Sequence, residues 1–238
     1  MRSDAPIPPI ANIAALIGDP TRSSMLAALM GGQALTAGEL AWLAGVTPQT
    51  ASGHLTKLTE HHIVLVEKQG RHRYFRLTST EVAQALEGLA LLSAAPSQRN
   101  LIFGPLEQSL RIARTCYDHM AGRLAVTLTD ALAENGYIEL SDHVGLITEQ
   151  GWNFLDNFGV ALERGLHLRR PMCRTCLDWS ERRPHLAGRL GAALLDRVIT
   201  LGWVMRQPYN RALKISRAGE LGVVRTFGLS VEWRSKLF

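Results

Sequence analysis

The chain has 238 residues, 46% of them hydrophobic and 20% charged, and a formal net charge of +5. That composition excludes a collagen, a coiled rod and a disordered acidic tail, and the length favours two domains over one small module. The excess charge points to a polyanionic partner, but residues 1–95 carry seven basic and seven acidic side chains, so the surplus lies wholly beyond them.

Residues 8 and 9, both Pro, close a short arm, and residues 12–18 form a brief apolar helix. Asp19-Pro20-Thr21-Arg22 is a helix start, with Asp19 as N-cap and Pro20 in the first turn, where its missing N–H costs nothing. The helix 20–30 buries Met25, Leu26 and Leu29. Thr36 with Glu39 three residues on is a capping box for a helix over 37–44 that stops at Gly45. Thr47-Pro48 opens the next helix, to residue 60, and the two form a helix-turn-helix. Alternation over 63–68, a Gln69-Gly70 turn and the run 73–78 predict a β-hairpin. A helix over 80–92 follows, with Val82, Leu86, Leu89 and Leu92 on one face.

A linker is expected at 93–105, between domains at 1–92 and 106–238. The second domain carries an internal repeat. Arg114-Thr115-Cys116 and Asp118 recur as Arg174-Thr175-Cys176 and Asp178. His119 and Ala121-Gly122-Arg123-Leu124 recur as His185 and Ala187-Gly188-Arg189-Leu190; Thr148 and Gly151 recur as Ser216 and Gly219. Each copy is predicted as helix (119–134; 185–201), strand (137–140; 203–207), turn, strand, capping Thr148 or Ser216, helix. The expected class is therefore mainly α with small β-hairpins (α+β): a winged helix-turn-helix followed by two degenerate winged-helix-like repeats.

The helix 47–60 turns Ala51, Leu55 and Leu58 inward and leaves Gln49, Ser52, Gly53, Thr56 and Lys57 outward, a small polar face suited to a major groove. Gln49 can pair bidentately with adenine; Thr50 and Ser52 can donate to bases or phosphates. The turn region 68–76 carries Lys68, Arg71, His72, Arg73 and Arg76 with no acid, suited to phosphates. Gln49, Thr50, Ser52, Gly53, His54, Lys57, Lys68, Arg71 and Arg73 are thus the expected DNA-binding residues.

Asp19-Pro20-Thr21-Arg22, Leu40-Ala41-Trp42-Leu43-Ala44, Ser52-x-His54-Leu55-x-x-Leu58 and Gly70-Arg71-x-x-Tyr74 together resemble ArsR-type winged-helix repressors. The resemblance covers residues 10–92. It implies a homodimer paired through the first and last helices of this domain, bound to an inverted-repeat operator on double-stranded DNA. It also implies repression relieved by a metal, an oxidant or another small effector. Gly53 stands where the family often carries a longer polar side chain, and neither the paired cysteines of its arsenic and cadmium sensors nor the Asp/His ligands of its zinc sensors are present.

All three cysteines lie outside the reader: Cys173 and Cys176 form a CxxC, and Cys116 is the repeat partner of Cys176. Three thiolates, with His119 or His185 as fourth ligand, would hold zinc or arsenite. Arg170 and Arg174 nearby would favour reactive thiolates in a redox sensor; inert packing is the third reading. Trp152, Trp179, Trp203 and Trp233 are expected in the core. No nucleophile with a placed base and no phosphate-binding Gly motif is visible, so the chain reads as a regulator rather than an enzyme. The rivals are a thiol-dependent enzyme fused to a DNA-binding module and an architectural DNA-binding protein. Without a signal peptide or an apolar stretch of about 18 residues, a cytoplasmic location with reduced thiols and no membrane contact is expected. If the second domain touches DNA, the basic hairpin with Arg206, Arg211, Lys214 and Arg217 is the expected surface.

Overall fold

The computed structural model describes residues 9–70, 72–93, 105–141, 144–164, 170–208 and 210–234. Arg71 and, apart from its two end residues, the expected linker 93–105 lie outside them. The chain divides into two units, residues 1–83 and 84–238.

The first unit follows the local signals closely. It runs α1 (Pro9–Ile17), α2 (Pro20–Leu29), β1 (Leu35–Thr36), α3 (Ala37–Ala44), α4 (Pro48–Glu60), β2 (Val64–Gln69) and β3 (His72–Leu77). Asp19 caps α2 by accepting the Arg22 N–H at 2.9 Å. Thr36 and Glu39 complete the capping box of α3: the Glu39 carboxylate accepts the Thr36 N–H at 2.8 Å, and Thr36 Oγ1 accepts the Glu39 N–H at 3.3 Å. Met25, Leu26 and Leu29 of α2, Leu40 and Ala41 of α3, and Ala51, Leu55 and Leu58 of α4 are the buried positions of these helices. Two-residue β1, too short to show any alternation in the sequence, joins the hairpin in the order β1-β3-β2, with Leu35 opposite Phe75.

α5 (Thr80–Ser93) begins at the end of the first unit and continues into the second. Its expected apolar stripe is not its buried face: Ala83 and Glu87 are buried, while Leu89 and Leu92 stand exposed, Leu92 at 81%. A carboxylate takes the inward position because two guanidinium groups of the second unit meet it there.

The second unit continues with α6 (Pro105–Ile112), β4 (Arg114–Cys116), β5 (His119–Ala121), α7 (Arg123–Glu134), β6 (Ile138–Ser141), β7 (Val144–Ile147) and α8 (Glu149–Phe158). Then come β8 (Cys173–Leu177), β9 (Pro184–Ala187), α9 (Gly188–Thr200), β10 (Val204–Arg206), β11 (Leu213–Ile215) and α10 (Arg217–Phe227). The helices expected from His119 and His185 thus begin later, after a strand. Gly122 (φ 83°) and Gly188 (φ 75°) hold a backbone conformation that ends each strand and that an L side chain resists. The segments before them pair instead with β4 and β8.

Strand pairing is reciprocal between the halves of this unit. β6 and β7 extend through β8 to β9 as one four-stranded antiparallel sheet. Hairpin β4–β5 meets β10–β11 through an antiparallel bridge of Arg114 with Ala212, and the Thr115 N–H donates to the Arg211 carbonyl at 2.8 Å. α7 packs on β9 and α9 on β5. Thr148 caps α8 and Ser216 caps α10, each accepting the N–H of a glycine, Gly151 or Gly219, at 3.0 Å. A Cβ on either glycine would overlap a carbonyl oxygen, of Tyr137 or Trp203 respectively. The core gathers Leu124, Leu128, Leu190, Leu194, Val198 and Phe227 among others, and Trp233 is buried with them. Trp203 packs partly buried against this core, and Trp152 lies half-buried under Arg164.

Candidate nucleic-acid interface and metal centre

α4 is held by its inward residues and by its ends. Thr47 Oγ1 accepts the Thr50 N–H at 3.2 Å and lies 2.9 Å from the Thr50 hydroxyl, so Thr50 serves the cap while standing exposed. Gln49, Ser52, Gly53, Thr56 and Lys57 are exposed on the outer face as expected. His54 lies differently: it is half-buried, with Nδ1 3.3 Å from Arg22 and 3.6 Å from Asp19. Arg22 also donates to the carbonyls of Leu16 and Ala15. The Asp-Pro-Thr-Arg motif and His54 therefore lock the α1–α2 corner to α4, which sets the angle at which α4 is presented.

In the hairpin, exposed Lys68 and Arg73 are cross-strand partners beside the turn. Arg76 ion-pairs with Glu67 at 2.7 Å, which removes it from the basic edge that sequence alone had credited with no acid. A helix-turn-helix followed by a hairpin with a basic tip defines the first unit as a winged helix-turn-helix, a DNA-reading class of protein.

A model of a helix-turn-helix domain matches residues 17–67. The chain is 41% identical over 224 residues to the uncharacterized HTH-type transcriptional regulator YdfF of Bacillus subtilis (strain 168), a match covering 94% of this chain and 99% of that one. Solved structures similar to part of it include the transcriptional repressor BigR from Xylella fastidiosa, 26% identical over 36% of this chain and 87% of that one, at a TM-score of 0.33. The cadmium metal-sensor CMTR from Mycobacterium tuberculosis is 27% identical over 40% of this chain and 98% of that one, at a TM-score of 0.31. The chain belongs to the HTH-type transcriptional regulators. Among the described residues no helix is long and apolar enough to cross a membrane.

The second site lies where hairpins β4–β5 and β8–β9 meet. Cys116 pairs in register with His119 across one hairpin, and Cys176 with His185 across the other. One ligand atom from each of these four residues lies within 4.8 Å of all the others. His119 and His185 are at most 1% exposed and their rings stack at 5.1 Å, whereas Cys176 is partly exposed.

Cys173 is elsewhere. Successive side chains of a strand alternate between its faces, so residues three apart in β8 point opposite ways. The CxxC thus cannot bring both sulfurs to one ion. Cys173 is buried in the core, where its sulfur fills the space a Cβ on Gly145 would need. His185, the cross-strand neighbour of Cys176, stands where Cys173 was expected.

Each histidine is backed by the aspartate of its own repeat motif. His119 Nδ1 lies 3.1 Å from Asp118, which Arg170 holds in an ion pair. His185 Nδ1 lies 3.6 Å from Asp178. Asp178 accepts from Arg114 at 2.9 Å, from the Gly122 N–H at 2.6 Å and from the Ser180 hydroxyl at 2.7 Å. Burial would raise its pKa, but Arg114, His185 and these donors hold it well below the ordinary carboxylate range. Burial also works against a charged His119, and the Cys116 sulfur and Asp118 beside it outweigh that.

Neither Cys116 nor Cys173 is activated as the neighbouring arginines suggested. A hydrogen bond to Cys176 and burial push the Cys116 thiol up to about 12, and burial alone pushes Cys173 up to about 12. Arg170 is committed to Asp118 and to the Gly188 carbonyl. Arg211, expected on an outer basic hairpin, ion-pairs with buried Glu87 at 3.1 Å. Arg114, Glu87 and Asp178 escaped sequence reasoning, although the repeated Arg-Thr-Cys-x-Asp pentapeptide carried the signal for two of them.

Proposed function

We propose that the protein is a dimeric repressor that reads an inverted-repeat operator with α4 and its wing and is released by an effector sensed in its second domain. The reading rests on one observation: the outer face of α4 is small, polar and exposed beside a basic hairpin tip, while every apolar residue of that helix except its first-turn proline is turned inward. Gln49 and Ser52 face the bases, Thr50 and Lys57 the groove edge, Gly53 permits close approach, and Lys68, Arg71 and Arg73 bind phosphates. His54 acts by orienting α4.

Pairing of two copies is supported by exposed apolar side chains on both helices that the family resemblance nominates. Ile10 of α1 is 78% exposed, and Leu89 and Leu92 of α5 are exposed. Two α4 helices then enter successive major grooves about 34–36 Å apart. Residues 1–92 act as reader and dimer arm, and residues 106–238 as a duplicated regulatory domain. The duplication is supported by the shared order hairpin, helix, hairpin, helix, by reciprocal pairing and by matching Gly151 and Gly219 caps.

The test is footprinting on the DNA upstream of its own gene at fixed physiological salt, with the oligomeric state followed by sedimentation. A protected inverted repeat bound by a dimer supports the reading. Equal affinity for random DNA with a steep salt dependence would make the protein an architectural binder instead.

A further inference from the structure

The geometry points to a tetrahedral site for one thiophilic divalent cation of the zinc class, held by Cys116, His119, Cys176 and His185. The site deepens the effector reading above, but it lies wholly in the second unit and is tested without DNA.

Four observations carry it. Two sulfurs and two imidazoles converge from two hairpins, each contributing one Cys and one His in cross-strand register. A tetrahedral zinc with these donors has ligand–ligand separations of about 3.3–3.8 Å. With every pair already within 4.8 Å, side-chain rotation of the order of an ångström closes the set. Next, Nε2 of His119 and both ring nitrogens of His185 are buried without a hydrogen-bond partner. Unpartnered buried nitrogens are costly, and an ion between the hairpins gives each ring a lone-pair acceptor.

The surroundings also fit. Asp118 lies 3.1 Å from Nδ1 of His119, the carboxylate–histidine pattern that orients a metal-binding imidazole through its other nitrogen, and Asp178 stands 3.6 Å from Nδ1 of His185, near enough to complete the same pattern as the ring turns toward an ion. Both carboxylates are neutralised in turn, by Arg170 and Arg114. Finally, the charge balances: a divalent cation with two thiolates and two neutral imidazoles is uncharged, as a buried site requires. The two thiol protons leave to solvent as the sulfurs bind. The donor set of sulfur and imidazole, with no carboxylate reaching the ion, selects zinc-class cations over magnesium or calcium.

The experiment is titration of the reduced full-length protein, freed of metal by chelation, with cobalt(II) alone, followed by absorption and then by displacement with zinc(II). The expected result is one cobalt per chain, with tetrahedral ligand-field bands and a thiolate charge-transfer band that zinc abolishes. Cys173→Ser keeps both signals. Cys116→Ser and Cys176→Ser lose the charge-transfer intensity in part and bind at least about 10-fold more weakly; Asp118→Asn weakens binding about 10- to 100-fold. Wild-type protein with native circular dichroism and no stoichiometric cobalt spectrum overturns the proposal. So does loss of the spectrum in a folded Cys173→Ser variant, or a Cys116–Cys176 disulfide that persists under reductant in place of metal binding.

Discussion

Arg114 Nη2 lies 2.9 Å from Asp178 Oδ2 and equally 2.9 Å from Glu87 Oε1, with all three side chains at most 1% exposed. One guanidinium thus neutralises two buried carboxylates, one beside His185 and one on α5. The Trp179 ring, 4.7 Å from the same guanidinium, covers it. Arg114→Met removes the charge the two carboxylates share, leaving Asp178 without its guanidinium partner and Glu87 with Arg211 alone. Breaking a buried pair in this way costs about 3–5 kcal/mol. Urea denaturation followed by tryptophan fluorescence should show a loss of that order; a loss below about 1 kcal/mol would mean the carboxylates find other partners.

Glu87 gives the same network a pH signature. Burial alone would raise its pKa, but Arg114 and Arg211 outweigh it and lower the value below the ordinary 4.5. A carboxylate with a depressed folded pKa stabilises the fold above its unfolded value and loses that contribution as pH falls through the folded one. The stability difference between wild type and Glu87→Gln should therefore be full at pH 7 and shrink below about pH 4.5. A difference that is flat from pH 7 to pH 3 would show that Glu87 is not ionised in the folded protein.

These residues also mark where sequence reading stopped. In the first unit every element except two-residue β1 is announced within itself: Asp19 and Thr36 cap with their own side chains, Gly45 ends α3, and Ala51, Leu55 and Leu58 share a face. Local rules therefore suffice there. In the second unit the decisive partners are far apart in the chain. Whether His119 opens a helix or ends a strand depends on Gly122 and on pairing with β4. Whether Cys173 or His185 joins Cys176 depends on strand alternation, which the CxxC spacing hides once it is read as a loop motif. The repeated Arg-Thr-Cys-x-Asp announced that two like segments exist, and the pairing of β7 with β8 together with the bridge of Arg114 in β4 to Ala212, just before β11, decides that they face each other.

Operator reading should separate into two kinds of loss. Gln49→Ala removes a base contact and should cost about 1–3 kcal/mol with relaxed preference at one operator position. Lys68→Ala and Arg73→Ala each remove a phosphate contact, weakening all sequences alike and lowering the slope of log K against log salt by about 1. Fluorescence anisotropy across a salt series distinguishes them. Equal effects of all three variants on specific and random DNA would remove Gln49 from base readout.

Leu92→Glu tests the pairing of two copies. Leu92 is 81% exposed at the end of α5, so in an isolated chain the change should leave stability within about 0.5 kcal/mol. In a dimer it buries a charge at an apolar contact. Sedimentation should then show a shift toward monomer at micromolar concentration with the fold intact. An unchanged dimer would place the interface elsewhere.

Gly53 allows stability and DNA binding to be pulled apart. It sits inside α4, exposed, and a Cβ there would meet nothing within 4 Å. Folding alone therefore favours alanine, and Gly53→Ala should stabilise the first unit by about 0.5–1 kcal/mol. A glycine at this position serves the fold poorly, which leaves close approach of α4 to the floor or wall of a groove as its use. If that is its role, the variant melts higher yet binds its operator more weakly. A variant that is more stable and binds equally well would show that the groove accommodates a methyl there, and readout would then rest on Gln49, Ser52 and Lys57 alone.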